Sequence, residues 1–350
     1  MTANTSRIRK LSTLLFVLVL FCLPRIAASG SADPAAKYYE AAKKEGKVVI
    51  YGLGPPFLAP IDEAFKKRYP GIQIEAFDES GRETRERIIA EQKSGRVVGD
   101  VMIGGPSGHV VLSDLGFIEP YRSSQIPQMI PELVPEWNFS SPFRASVFSI
   151  ASNTKLVPAA DEPKVWADLL QPKFKGKMAS DDPRGSGGGA GLMASLEAAF
   201  GTEFLRKLAT QEIFFGKDTG TILAGLVRGE HALFITASHD DIIVARKKGA
   251  PVKFLKPKDG IRAAPNIQSI VKNAPHPNAA KLWVEWSTSE EGQQMLGKVG
   301  LAAARKGVKA AEPEADLTGV KLLPVVGGRQ DMNFLKERTK RFEAVFFKKS

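Results

Sequence analysis

Residues 47–56 read KVVIYGLGPP, a β-branched run that stops at a turn rich in glycine and proline. Such a run predicts a short buried strand, and the apolar spacing after it predicts a helix that ends at residues 69–71 (YPG). The alternation continues with a strand over 72–77, a charged helix over about 80–94 and a strand over 98–103. Strands that alternate with helices predict an α/β fold with a mainly parallel sheet.

A second α/β region is predicted after a break in this pattern. The break, residues 120–142, is rich in proline and serine. Further strand signals lie at 147–151, 231–236 and 251–255. Helix signals follow the glycine-rich segment 184–191 to about residue 208, and others lie at 279–296 and about 332–347. The last of these helices is basic and amphipathic, and no internal repeat is evident.

The N-terminus has the pattern of a secretory signal. Arg7, Arg9 and Lys10 precede an apolar run over 14–21, and small residues follow at 27–32. The apolar run is shorter than the ~20 residues of a spanning helix, which leaves a membrane anchor as the weaker alternative. We therefore predict a signal peptide over residues 1–32 and a periplasmic mature protein.

Removal of this segment changes the composition of the mature chain. Cys22 is the only cysteine, so the mature protein would contain neither disulfides nor thiolate metal sites. Residues 1–32 also carry four basic residues and no acidic one, so the formal net charge falls from +11 to +7. No basic helix or aromatic stacking motif indicates a nucleic-acid partner. The remaining excess would favour an anionic ligand or an anionic membrane surface.

The topology indicates where a ligand would bind. In open α/β sheets, ligands lie beyond the carboxyl ends of the strands. Those ends are the turns 52–56, 78–82 and 104–107, which all contain glycine or serine. Arg82, in the second turn, is a candidate contact for an anion, although a solvated helix face is the alternative.

The glycine-rich segment 184–191 (RGSGGGAG) is a second candidate for ligand contact. Gly185, Gly187 and Ala190 fit the spacing of a dinucleotide motif, but no hydrophobic strand precedes them. We favour a loop that enters a helix N-terminus, where free N–H groups suit an anion. A plain flexible turn is the remaining interpretation.

The segment Ser238-His239-Asp240-Asp241 allows two kinds of chemistry. A Ser-His-Asp hydrolase is one, but adjacent residues rarely form a triad because its members must face one another. Metal ligation by His239, Asp240 and Asp241 is the other. No histidine pair in the chain has the HxxxH or HxH spacing of a metal site.

Several segments together resemble the bacterial family-1 extracellular solute-binding proteins, in the ferric-iron-type subgroup of ABC importers. They occur in the family's order and cover about residues 45–300. These segments are 47–51 with 65–72 (FKKRYPGI), 90–91 with 99–101, 116–121 (GFIEPY), 152–154 (SNT), 166–177 (WADLLQPKFKGK), 274–282 (APHPNAAKL) and 289–293 (SEEGQ).

The resemblance implies a type II periplasmic binding protein fold, with two α/β lobes, two hinge crossings and a ligand cleft between the lobes. It implies a first lobe of residues 33–145 plus 266–318, a second lobe of residues 146–265 and a C-terminal helical segment, 319–350, packed on both. Such proteins catalyse no reaction, need no cofactor and deliver a small solute to an inner-membrane permease. A monomer is expected.

One departure from the iron-binding members concerns the ligand. Those members carry an adjacent Tyr-Tyr pair in the second lobe, after the strand that follows a Gly-Glu turn. Here that turn is Gly229-Glu230, and Ser238-His239 stand where the pair would be. All five tyrosines lie within the first 121 residues, so the second lobe cannot supply phenolate ligands to Fe³⁺.

The leading hypothesis is therefore a periplasmic component of an ABC importer that binds a small polar solute, expected to be anionic. A ferric-ion binder with ligands other than tyrosine and a secreted hydrolase are the alternatives. The expected first-lobe contacts are Ser80, Gly81, Arg82, Gly105 and Ser107. The expected second-lobe contacts are Asp182, Arg184, Ser186, Thr219, Ser238 and His239.

Overall fold

Strand and helix alternate along the first part of the described chain, as the sequence predicts. The computed structural model describes residues 33–185, 187–326 and 332–348, so the predicted signal peptide and Ser186 lie outside it. Its strands are β1 Lys47–Tyr51, β2 Gln73–Phe77, β3 Val101–Gly104, β4 Ile118–Glu119, β5 Ser141–Asn153, β6 Met178–Asp181, β7 Phe214–Gly216, β8 Leu233–Ser238, β9 Val252–Leu255, β10 Arg262–Val271 and β11 Ala302–Ala303.

The α-helices of the same residues include one near each end of the described chain. They are α1 Ala36–Glu45, α2 Pro55–Arg68, α3 Gly81–Ser94, α4 Pro106–Asp114, α5 Gly188–Phe200, α6 Thr202–Ala209, α7 Thr219–Arg228, α8 His239–Lys247, α9 Pro277–Thr288, α10 Glu290–Lys298 and α11 Met332–Phe346. Short 3₁₀ helices lie at Ile126–Gln128, Pro131–Leu133, Ala159–Asp161, Trp166–Leu170 and Pro172–Phe174.

The sheet is parallel at its two ends and antiparallel in its middle. Its main path runs β2-β1-β3-β10-β5-β8-β6-β7. The pairs of β1 with β2 and β3, and of β6 with β7 and β8, are parallel. The long strands β5 and β10 pair antiparallel to each other and to their neighbours. The prediction of a mainly parallel sheet therefore fits the two ends, and the antiparallel middle comes from the two strands that run between them.

β5 and β10 connect the two ends of the sheet. Ala145 of β5 pairs with Pro265 of β10, and the register shifts between Asn266 and Ile267. The proline has no N–H to donate, which locally weakens the ladder. The lobe boundaries predicted at 145/146 and 265/266 fall at this pairing, and they remain predictions.

Local sequence signals determine where two of the helices begin and end. The Ser80 hydroxyl accepts from the Glu83 N–H, and the Glu83 carboxylate accepts from the Ser80 N–H, so a capping box opens α3. Residues 279–296 were expected to form one helix, but Ser289 divides them into α9 and α10. Its hydroxyl caps the Gly292 N–H, which starts a new helix instead of continuing the old one.

Separate apolar clusters lie under the two ends of the sheet. In the first, Phe65 of α2 packs edge-on against Trp283 and Trp286 of α9, with centroids 5.6 and 5.1 Å away. In another, Trp166 and Leu192 pack with Phe342 of α11, and all three are fully buried. The C-terminal helix is therefore part of the core beneath the second end of the sheet.

A buried carboxylate joins the irregular segment 120–142 to α9. Glu285 is 2% exposed and accepts from the Tyr121 hydroxyl at 2.8 Å and the Ser123 hydroxyl at 3.0 Å. It also accepts from the N–H and hydroxyl of Ser124. Burial, and after it the hydrogen bonds with Tyr38 and Glu285, raise the pKa of Tyr121 above its usual range.

Among the described helices, none has the length and apolar character needed to cross a membrane.

Candidate functional site

Three adjoining cavities form one continuous cleft, which we call the cleft from here on. Their volumes are about 880, 470 and 310 Å³. The first two share Arg144 and Asp240, and the second and third share Ser146 and Phe148. Arg144, Ser146 and Phe148 are alternate residues of β5, so their side chains lie on one face of that strand and form the cleft floor.

The strand-end turns of the first half of the sheet line one wall of the cleft. Gly52, Gly54 and Asp78, which follow β1 and β2, line the 880 Å³ cavity. Gly105 and Ser107, which follow β3, line the 310 Å³ cavity. The cleft thus lies beyond the carboxyl ends of these strands, where parallel sheets place ligands.

The N-terminus of α5 forms part of the opposite wall. Gly187 is its N-cap residue, and no side chain caps the first turn. The first-turn N–H groups of a helix have no intrahelical acceptor and carry a partial positive charge. Gly187 and Gly188 line both the 470 and the 310 Å³ cavities, so this helix end opens into the cleft.

Two glycines of this helix allow side chains of the cleft to pack directly on its first turn. A Cβ atom at Gly188 would lie 2.8 Å from Cε2 of Phe148. One at Gly191 would lie 2.7 Å from Nη2 and 2.8 Å from Cζ of Arg262. The phenyl ring and the guanidinium therefore occupy the space that larger residues at these positions would need.

Arg262 of β10 is a buried cation beside this helix end. It is 8% exposed and lines the 310 Å³ cavity, with its guanidinium 5.4 Å from the centre of the Phe148 ring. Its Nε is buried without a hydrogen-bond partner among the described residues. Burial, and after it the charge of Arg338, lower the pKa of Arg262 to about 10, so it remains charged at pH 7.

The other end of the cleft is acidic. Asp240 pairs with Arg144 at 2.7 Å, and Asp181 accepts from the Thr219 and Thr236 hydroxyls. Burial opposes ionisation of Asp240, but Arg144 and His239 together outweigh it and lower the pKa of that carboxyl. Asp241 is exposed to the cleft, but partial desolvation there, and then the charges of Asp240 and Asp181, raise its pKa to about 6.

The structure brings together about half of the expected contacts. Gly105, Ser107, Asp182, Thr219 and Ser238 line the cleft.

The first-lobe segment 80–82 lines none of the three cavities. Ser80 caps α3, and Arg82 is 77% exposed and pairs with Glu86 at 3.9 Å. Gly81 is exposed at the start of the same helix. The turn after β2 contributes Asp78 to the cleft instead.

Arg184 makes contacts within the protein. Its guanidinium pairs with Asp182 at 2.6 Å and with Glu343 of α11 at 2.9 Å, and it lies 3.9 Å from the centre of the Phe347 ring. These hydrogen bonds raise the pKa of Arg184 above its usual range. Arg184 thus shapes the glycine-rich loop and joins it to the C-terminal helix.

His239 lines none of the three cavities. The ring is fully buried and packs edge-on against Phe254, with Nδ1 3.7 Å from Asp240 Oδ1 and no hydrogen bond on either nitrogen. A serine nucleophile would need a hydrogen bond to such a ring. Within the described residues, no group of three or more His, Cys, Asp or Glu side chains could hold a metal ion.

Sequence reasoning did not identify Arg262 or Arg338. The only sign of Arg262 is a lone charge in the strand 261–264 (IRAA), and buried arginine is rare unless it is paired. Arg338 lies in a helix with many charges, where nothing distinguishes it from its neighbours. Its burial depends on how that helix packs.

The fold and the cleft define a class of protein: a type II periplasmic binding fold, in which two α/β lobes flank a ligand cleft. Solved structures of this class resemble the chain. One is the periplasmic binding protein AfuA from Actinobacillus pleuropneumoniae with exogenous fructose-6-phosphate bound (TM-score 0.66, 24% identity, 86% of this chain and 98% of that one). Another is iron-bound HitA from Pseudomonas aeruginosa (TM-score 0.64, 21% identity, 85% and 99%).

Sequence comparison identifies the family. The profile of the bacterial extracellular solute-binding proteins matches residues 109–318, so the chain belongs to that family, as the resemblance implied. An uncharacterized protein of Haemophilus influenzae is 25% identical over 288 residues, 79% of each chain. A putative 2-aminoethylphosphonate-binding periplasmic protein of Salmonella typhimurium is 27% identical over 173 residues, 46% of this chain and 50% of that protein.

Proposed function

We propose that this protein is the periplasmic component of an ABC importer and that it captures a small anionic solute in the cleft. Membership of the solute-binding family supports the general role. The observation that supports an anionic ligand is Arg262, a buried cation with no carboxylate partner among the described residues.

The end of the cleft at Arg262 has a charge distribution that favours an anion. A buried charge without a counter-ion is unfavourable, so such charges are normally paired or used in binding. The N–H groups at the start of α5 add donors beside Arg262, and Gly187, which has nothing within 4 Å of its Cβ position, leaves room for an oxyanion to approach them. A bound anion would accept hydrogen bonds from both and neutralise the guanidinium.

Two of the relatives have names that fit this chemistry. Fructose-6-phosphate and 2-aminoethylphosphonate both carry a phosphorus oxyanion. The cavity around Arg262, at about 310 Å³, has the size of a site for a small molecule. Iron is disfavoured because none of the tyrosines lines any of the three cavities.

The proposal includes the two lobes expected from the sequence, residues 33–145 with 266–318 and residues 146–265. They would hinge where β5 pairs with β10, and the segment 319–350 would pack on them. A ligand would then contact both walls of the cleft only in the closed state. Because it would bind that state more tightly, it would shift the equilibrium from the open to the closed arrangement of the lobes.

Calorimetric titration with a panel of solutes tests the proposal. Fructose 6-phosphate, 2-aminoethylphosphonate, fructose, and ferric ion with and without citrate would each be titrated into the purified mature protein. We expect a phosphorus oxyanion to bind and fructose not to bind. Tight binding of ferric ion without an added anion, or equal binding of fructose and its phosphate, would contradict the proposal.

A matched pair of variants locates the site. Charge-assisted hydrogen bonds contribute ~1.5–3 kcal/mol, so Arg262→Gln should weaken binding of the anion by roughly tenfold to a hundredfold. Arg82→Gln removes an exposed arginine outside the cleft and should leave affinity unchanged. Loss of binding in Arg82→Gln with none in Arg262→Gln would place the ligand elsewhere.

A further inference from the structure

A second buried arginine lies beside Arg262, and it comes from the C-terminal helix. Arg338 of α11 is 3% exposed and lines the same 310 Å³ cavity. Its Nη2 donates to the Gly185 carbonyl at 2.7 Å, and its Nε is buried without a partner among the described residues. The two guanidiniums are close enough for the charge of Arg338 to lower the pKa of Arg262.

No described carboxylate balances these two charges. Glu132 and Glu136 also line the cavity, but both are exposed and neither pairs with an arginine there. Burial, and then the charge of Arg341, lower the pKa of Arg338, so its surroundings add further positive charge. Two desolvated cations and the positive end of α5 therefore face one small cavity.

The contacts of α11 hold Arg338 in place. The Thr339 hydroxyl donates to the Arg184 carbonyl at 3.1 Å, and Arg341 pairs with Glu197 at 2.9 Å. Phe342, one helical turn after Arg338, is fully buried. The helix is therefore fixed against the glycine-rich loop, and Arg338 is positioned before any ligand arrives.

We propose that Arg338 and Arg262 together form a subsite for a doubly charged tetrahedral oxyanion, the dianion of a phosphate monoester or a phosphonate. This inference rests on the proposed function and adds the charge of the ligand and the role of the C-terminal helix. A monoanion would leave one buried guanidinium unbalanced, whereas a dianion would neutralise both. Arginine also offers paired donors that match phosphate oxygens.

A pair of probes that differ by one charge tests this subsite. Methylphosphonate and methanesulfonate have nearly the same shape, but at pH 8.5 the first is mainly a dianion and the second a monoanion. Calorimetry on the mature protein should show at least tenfold tighter binding of methylphosphonate. Equal affinity for the two probes would overturn the dianion subsite while leaving an anion site in place. Binding of neither probe at millimolar concentration would contradict the proposed function as well.

Three variants separate charge from loop positioning. Arg338→Gln should bind methylphosphonate at least tenfold more weakly. Its affinity for methanesulfonate should change little, so the variant should lose the preference for the dianion. Arg338→Lys should retain most of the preference because it keeps the charge. Lys340→Gln, which removes an exposed cation from the same helix, should match the parent.

Thermal unfolding would accompany each titration, so that a misfolded variant is recognised. If Arg338→Gln is folded and keeps the full preference for methylphosphonate, the inference is wrong. If Arg338→Gln and Arg338→Lys both bind the two probes more weakly by the same factor, Arg338 only positions the loop, and the inference is also wrong. A failure of Arg262→Gln to affect either probe would count against the proposed function and against the two-arginine subsite.

Discussion

Replacing Gly188 with alanine tests the packing of the cleft floor on α5. The added Cβ would lie 2.8 Å from Cε2 of Phe148 and closer still to two other ring atoms, whereas carbon atoms normally pack ~3.5 Å or more apart. Retreat of the ring is restricted on two sides, because Phe148 packs against the buried cluster around Leu192 and against the Arg262 guanidinium. Overpacking of this kind costs ~1–3 kcal/mol.

The net effect on stability follows from two opposing contributions. Alanine is a better helix former than glycine by up to ~1 kcal/mol, which offsets part of the clash. We expect Gly188→Ala to lower the free energy of unfolding by ~1–2 kcal/mol and Tm by about 2–4 °C. Gly187→Ala is the matched control: nothing lies within 4 Å of its Cβ position, and its φ of −77° suits any residue.

A double-mutant cycle makes the prediction specific. In a Phe148→Ala background, the ring is gone, so Gly188→Ala should cost nothing or should stabilise the protein. Differential scanning calorimetry of the parent, the two single variants and the double variant gives the coupling. An equal loss of Tm from Gly188→Ala in both backgrounds would refute the contact with Phe148 as its cause.

Three further predictions concern the rest of the molecule. Glu285→Gln should lower the free energy of unfolding in urea by ~2–4 kcal/mol, because its amide N–H₂ would face the hydrogen-bond donors that now surround a buried carboxylate. A change below about 0.5 kcal/mol would contradict this. Asp241 has its pKa raised to about 6, so the folded protein holds a proton that the unfolded chain has lost above pH ~4, and stability falls as the pH rises from 4 to 6. Asp241→Asn should therefore raise Tm at pH 8 and leave it unchanged at pH 4, and solvent screening should keep the gain small. The same gain at both pH values would rule out titration of Asp241 as its cause. Small-angle scattering should show a smaller radius of gyration when the bound anion saturates the protein, and saturation without any change would argue against closure of the lobes.

Local patterns were sufficient for most of the first half of the sheet. The strand over 47–51 is observed at those residues, and the helix expected over about 80–94 is α3, Gly81–Ser94. These signals depend on neighbours in sequence: a β-branched run, a serine with a glutamate three residues later, and a glycine at the end. Gly95, which ends α3, has a φ of 68°, a conformation that glycine adopts without strain.

The contacts of Arg184 and Arg82 arise from two different sources. Arg184 looked like a ligand contact because it opens a glycine-rich segment, but Glu343 and Phe347 come from α11 and engage its guanidinium. Arg82 was expected in the cleft from its place at a strand end, but α3 exposes it toward solvent. The α11 partners of Arg184 are distant in sequence, whereas Arg82 is exposed by its own helix and pairs with Glu86 four residues later.

The amino-acid sequence alone determined the α/β class, the family, the predicted export signal and the glycine-rich start of α5, since each depends on short-range patterns or on segments in a characteristic order. Only the tertiary structure decided which charges face the cleft. Arg262 and Arg338 are 76 positions apart in the numbering, and a strand and the C-terminal helix bring them to one cavity. No local pattern distinguishes a buried, unpaired arginine from a solvated one, because the difference lies in which elements pack around it and whether any of them carries a carboxylate.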